Sequence, residues 1–165
     1  MVPDEPYIHV SVAQQRLQLL HRDDVLLEVS ISTAANGVGE ETGSECTPRG
    51  WHRVCARIGS HCQNNTVFVA RRPNGEVYSS ALAAEHLQRD WILTRILWLG
   101  GLEAGRNRGG EVDTFSRYIY IHGAPDEVEM GVPGSHGCIR MRNDELLELY
   151  DHVRVGTRVL IEESA

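Results

Sequence analysis

The chain has 165 residues, of which 41% are hydrophobic. This suits one domain that buries roughly 68–70% of its unfolded surface, so we expect residues 1–165 to form a single domain. The net charge is −7, and all 16 basic residues are arginines. The lack of lysine excludes a lysine nucleophile or Schiff base, and an acidic chain with scattered arginines is not expected to bind nucleic acid.

The first half of the chain predicts short strands separated by polar turns. Residues 7–20 alternate, with Ile8, Val10 and Val12 on one face, which predicts a strand. The polar turn "HRDD" and a second strand over 25–33 complete a predicted β-hairpin. The glycine-rich segment 34–50 predicts a loop. Further strands are expected at 51–58, at 65–71 and around "EVYSS", with the Asn-Gly pair of "RRPNGEVY" as the turn between the last two.

The second half mixes helical and extended patterns. In chain order it predicts a helix over 81–99, a loop over 100–113, a strand over 117–123, a loop over 124–137, a helix over 143–153 and a strand over 157–161. Asn143 is the expected N-cap of the second helix. The sequence therefore predicts a mainly β, single-domain fold with one or two helices, whose long loops converge near Cys138.

The start of the chain and its most apolar stretch show no export or membrane-anchor pattern. The first ten residues hold two acids and two prolines, and the most apolar stretch, 91–99, is short and interrupted by Arg95. We therefore expect no membrane segment and a cytoplasmic location, or a periplasmic one if the N-terminus has been trimmed. A reducing compartment favours free thiols at the four cysteines, which are Cys46, Cys55, Cys62 and Cys138.

The segment "GSHGCIRM" (134–141) combines a thiol, an imidazole and a guanidinium. A thiol attacks a carbonyl as its thiolate, so Cys138 needs a base, and either His136 or His122, at the end of a predicted strand, is a candidate. Nearby glycines expose backbone N–H groups that suit an oxyanion hole. Arg140 has the fork geometry that binds a carboxylate.

These residues resemble a known family. "IHG" (121–123) followed by "SHGCIRM" (135–141) is similar to the signature of the L,D-transpeptidase (YkuD-type) catalytic domain. "QQRLQLL" (14–20), "TPRG" (47–50) and "VRVGTRVLI" (153–161) resemble its early strand, its Thr-Pro-x-Gly loop and its closing strand. The resemblance covers nearly the whole chain and implies a β-sandwich-like fold with a helix.

The resemblance also implies a role for each residue of the site. Cys138 would be the nucleophile and His122 the general base, with the carbonyl of Gly123 orienting the imidazole. The N–H groups of Gly137 and Cys138 would hold the oxyanion. The side chains of Ser135 and His136 would shape the site, with His136 open to direct participation, and Arg140 would steady the substrate.

Members of this family act on tetrapeptide stems of peptidoglycan. The resemblance implies attack on the L-centre carbonyl of a diamino acid, loss of D-alanine and a thioester on the cysteine, with no cofactor or metal and with carbapenem-type inhibitors as expected ligands. Because no export signal is seen, we expect soluble muropeptides as substrates and water as the acceptor. This makes an L,D-carboxypeptidase of murein recycling the favoured function, with an L,D-transpeptidase that forms cross-links or exchanges D-amino acids as the alternative.

Three structural or non-enzymatic alternatives remain open at this point. One alternative is that the chain is a catalytically silent module, which keeps the fold and binds murein peptides but lacks the reactivity. A zinc- or thiol-regulated protein would use Cys46, Cys55 and Cys62. Zinc-competent ligand types cluster at His52, Cys55, His61 and Cys62, although their spacing lacks a Cys-x-x-Cys pair. Arg140 would in another interpretation form a surface ion pair with Asp144, four residues further on.

Overall fold

The computed structural model describes residues 2–164 and is mainly β, as predicted. The strands are β1 Tyr7–Ser11, β2 Arg16–His21, β3 Asp24–Ser30, β4 Gly50–Ile58, β5 Thr66–Val69, β6 Arg72–Val77, β7 Leu93–Gly101, β8 Tyr120–Gly123, β9 Ile139–Met141 and β10 Arg158–Glu162. The helices are α1 Ser80–Glu85 and α2 Asn143–His152, with a 3-10 turn at Gly110–Val112. Within the described residues, neither helix has the length and apolarity to cross a bilayer.

The strands form one connected sheet that folds back on itself. Its main path is β3-β2-β1-β10-β4-β7-β5-β6, and β8 pairs with β7 on one side and with β9 on the other. Just after β3, the N–H of Ser32 donates to the carbonyl of Arg140 in β9 at 2.8 Å, and the N–H of Arg140 donates back at 2.9 Å. The path from β3 round to β9 is thereby closed, so two layers of strand enclose one core.

The core lies between these layers and under α2. Alternating residues of the strands supply it, and α2 adds the stripe of Leu146, Leu149 and Tyr150, whose i, i+3, i+4 spacing places them on one face. A second, smaller apolar cluster lies on the outer face of β7 and β8. Its members are Phe68, Ile96 and Tyr120, with Ile58, Cys62, Ile92, Trp98 and Cys138 packed against them.

The largest error of the sequence prediction concerns residues 81–99. Only Ser80–Glu85 is helical, and residues 93–101 form β7, where all but one residue is buried. A strand that pairs on both edges and is covered on both faces is apolar throughout, and its periodicity then does not distinguish it from a buried helix. β7 pairs with β8, the strand that bears His122 of the candidate site.

Smaller differences occur at turns and boundaries. Residues 7–20 form two strands, because the chain turns at residues 12–15, so the hairpin is β2–β3. Asn74 and Gly75 lie inside β6, and the β5–β6 turn is made by Ala70 and Arg71, both with positive φ. β9 was not predicted, and the strand expected over 117–123 begins only at Tyr120.

The predicted helix over 143–153 is confirmed, but Asn143 is not its N-cap. Arg142 occupies the cap position, and Asn143 is the first helical residue, with its side chain buried. The Asn143 amide donates to the carbonyl of Ala124 at 3.0 Å, and its Oδ1 accepts from the Thr94 hydroxyl at 2.7 Å. Asn143 therefore fastens the segment after β8 to β7.

Candidate active site

The parallel pair β8–β9 places the predicted residues on one face. Ile121 is opposite Ile139, and both are buried in the core. Because side chains alternate, Tyr120 and His122 of β8 lie on the other face, as does Arg140, which is opposite His122. Cys138, one residue before β9, is level with Tyr120. Cys138 and His122 are thus brought together two positions apart along the same face.

The sulfur of Cys138 is held by backbone groups of the chain leading into β8. The N–H of Tyr120 donates to Sγ at 3.3 Å, and the thiol donates to the carbonyl of Tyr118 at 3.4 Å. Tyr118 has φ of +57°, a conformation that costs energy in a residue other than glycine. Burial raises the pKa of Cys138 to about 12, against the opposing effects of the Tyr120 N–H and of Arg117 and Arg140. The resting sulfur is therefore a neutral thiol.

The imidazole of His122 is fixed by its own strand end. Its Nδ1 lies 2.6 Å from the carbonyl oxygen of Gly123, and the side chain is buried. A carbonyl only accepts, so Nδ1 carries the proton and Nε2 is the basic nitrogen. Burial lowers the pKa of His122, with the Gly123 carbonyl opposing the shift, so the ring is neutral at pH 7. The resting hydrogen bonds of Sγ are to Tyr118 and Tyr120, not to this ring.

Gly123 has no room for a side chain. A Cβ there would lie 2.0 Å from Oδ1 of Asn143 and 2.7 Å from the carbonyl oxygen of Leu93. Since a real Cβ does not approach other atoms this closely, glycine is required for the strand end to pack against α2 and β7. The carbonyl that orients His122 is thus held in place from both sides.

Ser135 and Gly137 shape the loop that carries the nucleophile. The Ser135 hydroxyl donates to the carbonyl of Cys138 at 2.5 Å and accepts from the N–H of Gly137 at 3.2 Å. Gly137 has φ of +132°, and its carbonyl accepts from the hydroxyl of Thr47 at 2.9 Å. The "TPRG" loop therefore contacts the cysteine loop directly, and the Gly137 N–H is already engaged.

Arg140 lies beside the site and is half-buried. Its guanidinium donates to the hydroxyl of Ser32 at 2.9 Å, and its Nε is buried without a hydrogen-bond partner among the described residues. Burial lowers its pKa, an effect that the charges of Asp90 and Cys138 oppose. The surface ion pair with Asp144 is not the arrangement seen, because Arg140 contacts Ser32 instead.

His136 is placed at the rim rather than against the sulfur. Its side chain is 67% exposed, and Nδ1 lies 3.7 Å from Oδ2 of Asp90. With Arg117 and Ile119 it lines a cavity of about 230 Å³ beside the cysteine loop. Of the two candidate bases, His122 is the one that shares the buried face with Cys138.

Several groups at this site were missed by sequence reasoning. The backbone groups of Tyr118 and Tyr120 carry no sequence signal. Arg117 is half-buried, its charge lowers the pKa of Cys138, and it donates to the carbonyl of Cys46 at 2.6 Å. Asp90 comes from the segment before β7. Only the tertiary fold brings these charges to Cys138, and nothing local in the sequence marks them.

The residues of the zinc alternative do not form a cluster. His52 is buried, with one ring nitrogen 3.0 Å from the carbonyl oxygen of Gly50 and the other 2.9 Å from the Thr114 hydroxyl. Cys55 lies at a bulge of β4 on the opposite face. Within residues 2–164, no three His, Cys, Asp or Glu side chains come together to hold a metal ion. All four cysteines are free thiols.

Comparison with known proteins identifies the family of the chain. The chain folds as a β-rich domain that carries a cysteine and a histidine on one face of a parallel strand pair. Residues 5–161 match the L,D-transpeptidase catalytic domain (YkuD), and the chain belongs to this family.

Curated relatives show the same resemblance. The chain is 48% identical over 162 residues to the putative L,D-transpeptidase YqjB of Bacillus subtilis, covering 98% of this chain and 74% of that protein. It is 51% identical over 45 residues to the probable L,D-transpeptidase ErfK/SrfK of Salmonella typhimurium, covering 27% of this chain. That second match spans only 15% of the Salmonella protein.

Solved structures share the fold. The L,D-transpeptidase of Xylanimonas cellulosilytica superposes with a TM-score of 0.62 at 19% identity, over 98% of this chain and 62% of that chain. The structure of LdtMt1 in complex with imipenem superposes with a TM-score of 0.56 at 19% identity, over 96% of this chain and 59% of that one. The chain thus spans about three-fifths of these solved chains.

Proposed function

We propose that the chain is a cysteine acyl-transfer enzyme that acts on peptidoglycan tetrapeptide stems. One observation carries the proposal: His122, with Nδ1 bound to the carbonyl of Gly123, keeps a basic Nε2 on the same face as the thiol of Cys138. A neutral thiol beside a neutral, oriented imidazole is the arrangement that general-base activation needs.

The reaction proceeds through a thioester. The sulfur leaves the carbonyl of Tyr118, Nε2 of His122 takes the thiol proton, and Sγ attacks the L-centre carbonyl of the diamino acid. Collapse of the tetrahedral intermediate breaks the peptide bond, and the imidazolium returns its proton to the departing D-alanine amine. The acyl group is then bound to Cys138. Apo hydrogen bonds of catalytic groups are often loose and tighten with substrate, which fits the resting contact of the thiol with Tyr118.

The oxyanion is assigned to the N–H of Cys138. The sequence reasoning offered Gly137 as a second donor, but the Gly137 N–H donates to the Ser135 hydroxyl. Ser135 instead fixes the peptide unit after the nucleophile through its contact with the Cys138 carbonyl. A preorganised donor at this point stabilises charge that develops in the transition state.

Arg140 is assigned to the substrate. Its guanidinium is half-buried and its charge favours the thiolate of Cys138, and its fork geometry suits a carbonyl or carboxylate of the stem peptide. Arg117 adds a second positive charge near the sulfur. These two guanidiniums offset part of the cost of forming an anion in a buried place.

Water is proposed as the acceptor, which makes the activity an L,D-carboxypeptidase. Hydrolysis requires one binding site, for the donor stem, whereas transfer requires a second site that holds an amine against the thioester. The alternative activity is that of an L,D-transpeptidase, which would use the same thioester but pass the acyl group to an amine. The non-enzymatic alternative is a silent binding module, which would keep the peptide site without the reactivity.

Incubation with a tetrapeptide muropeptide, with and without an added D-amino acid, tests the proposal. We expect tripeptide as the main product, none with Cys138→Ala, and a strongly reduced rate with His122→Ala. Cys55→Ala is the matched control, because this thiol lies at a bulge of β4 away from the site, and it should react as wild type. Exchanged tetrapeptide or dimer as the main product would replace hydrolysis by transfer, and no product would favour the silent module.

A further inference from the structure

The segment before β7 places a carboxylate beside His136, at the rim of the site. Asp90 is flanked by anchored residues: the ring of Trp91 packs edge-on against Tyr78 at 5.1 Å, and the Arg89 guanidinium lies 4.3 Å above it. Arg89 also pairs with Glu76 at 2.7 Å. The backbone at Asp90 is therefore fixed although its side chain is 55% exposed.

This carboxylate lacks a strong partner. Its one ion-pair contact within residues 2–164 is His136, at 3.7 Å, and it lies within salt-bridge distance of no arginine. Its negative charge also acts on His122, Cys138 and Arg140, and it raises the pKa of Cys138, so that it opposes the thiolate. An exposed carboxylate that opposes ionisation of the nucleophile, and whose ion-pair contact within residues 2–164 is one imidazole at 3.7 Å, suits a cationic substrate.

We propose that Asp90 binds a primary ammonium group of the substrate, namely the free side-chain amine of the diamino acid whose L-centre carbonyl is attacked. The assignment rests on the proposed function. An ammonium group is a compact charge with three donors, which an exposed carboxylate accepts well. When it binds, it neutralises the charge that opposes ionisation of Cys138, so a correct substrate also helps to activate the nucleophile.

The first test compares two donor stems, one with a free side-chain amine and one with that amine acetylated. We expect wild type to prefer the free amine by about two- to five-fold in kcat/KM, as for an exposed ion pair. Asp90→Asn should lose the preference, and Asp90→Glu should retain part of it. Asp23→Asn, in the β2–β3 turn, is the matched control and should behave as wild type. Equal losses on both donors in Asp90→Asn, or no preference in wild type, would overturn the assignment.

A second arm separates the two sources of an ammonium group. With the acetylated donor held fixed, exchange with a D-amino acid is measured in wild type and Asp90→Asn. An effect of the substitution confined to this exchange would place the ammonium group on the acceptor, and would overturn the assignment to the donor and water as the preferred acceptor.

A third measurement does not depend on the peptidase activity. Cationic and anionic methanethiosulfonate reagents are reacted with the protein, and modification of Cys138 is followed by peptide mass spectrometry. Wild type should react relatively faster with the cationic reagent, and Asp90→Asn should lower that ratio by about two- to five-fold. An unchanged ratio would contradict the assignment. The expected ratio in a protein that cleaves no stem peptide would leave Asp90 as a cation site and remove the proposed function instead.

Discussion

The protonation state of the resting nucleophile gives the sharpest quantitative prediction. With the pKa of Cys138 raised to about 12 by burial, roughly one molecule in 10⁵ carries a thiolate at pH 7, whereas a free cysteine with a pKa of about 8.5 is a few per cent ionised. A thiolate of higher pKa is also the stronger nucleophile, which offsets part of this difference, so alkylation of Cys138 by iodoacetamide at pH 7 should be roughly a hundredfold slower than alkylation of a free cysteine.

The pH dependence of this alkylation tests whether the resting Cys138 is a neutral thiol. The rate should rise about tenfold per pH unit between pH 7 and pH 10, without a plateau, because the thiolate fraction is far from saturation throughout. His122→Ala should change it little, since the resting sulfur is bonded to Tyr118 and Tyr120 rather than to the imidazole. The assay is peptide mass spectrometry, which distinguishes Cys138 from the other three cysteines.

A plateau reached below pH 7 would refute this reasoning. It would mean that a thiolate–imidazolium pair exists before substrate binds. The catalytic pH profile gives a second check of the same protonation states. Because burial lowers the pKa of His122, the imidazole stays neutral below its usual range, so the acid limb of kcat/KM should lie below pH 6.5.

Three substitutions test the supports of the site. Gly123→Ala forces a Cβ into Asn143, which should lower the free energy of unfolding by about 1–3 kcal/mol. Tm in a calorimetric scan should fall by about 3–10 °C, and the activity should fall as well. An unchanged Tm would contradict the packing described. In Gly134→Ala the added Cβ would overlap the movable guanidinium of Arg140, at 2.5 Å, and would lie at an ordinary 3.6 Å from Oγ of Ser32. Tm should therefore hardly change while KM rises, and unchanged kinetics would argue against a substrate role for that arginine. Ser135→Ala frees the loop carbonyl that the hydroxyl holds, and kcat should fall about tenfold or more with KM little changed, which a wild-type kcat would contradict.

Much of the site could be predicted because its chemistry is local in sequence. Cys138, His136 and Arg140 lie within five positions, and His122 with Gly123 forms a recognisable pair at a strand end. The placement of His122 and Cys138 on one face could not be predicted from the sequence, because it depends on the pairing of β8 with β9. β9 has only three residues, too few to show a periodic pattern.

The features that sequence reasoning missed depend on contacts between residues that are far apart in the sequence. β7 was predicted as helix because a strand buried on both faces has no alternation, and tertiary burial rather than propensity decides its conformation. Asp90 and Arg117 reach Cys138 only through that strand and its neighbours. The buried amide of Asn143 looked like a helix cap, because Asn is favoured both at caps and wherever several hydrogen bonds must be made at once.

The central claim, that Cys138 becomes acylated with His122 as its base, is tested most directly by trapping the acyl-enzyme. Intact-mass measurement after incubation with imipenem should show one added inhibitor mass, and peptide mapping should place it on Cys138. The adduct should be absent in Cys138→Ala and should form much more slowly in His122→Ala. An adduct on a different cysteine, or equal rates of formation with and without the imidazole, would contradict the account.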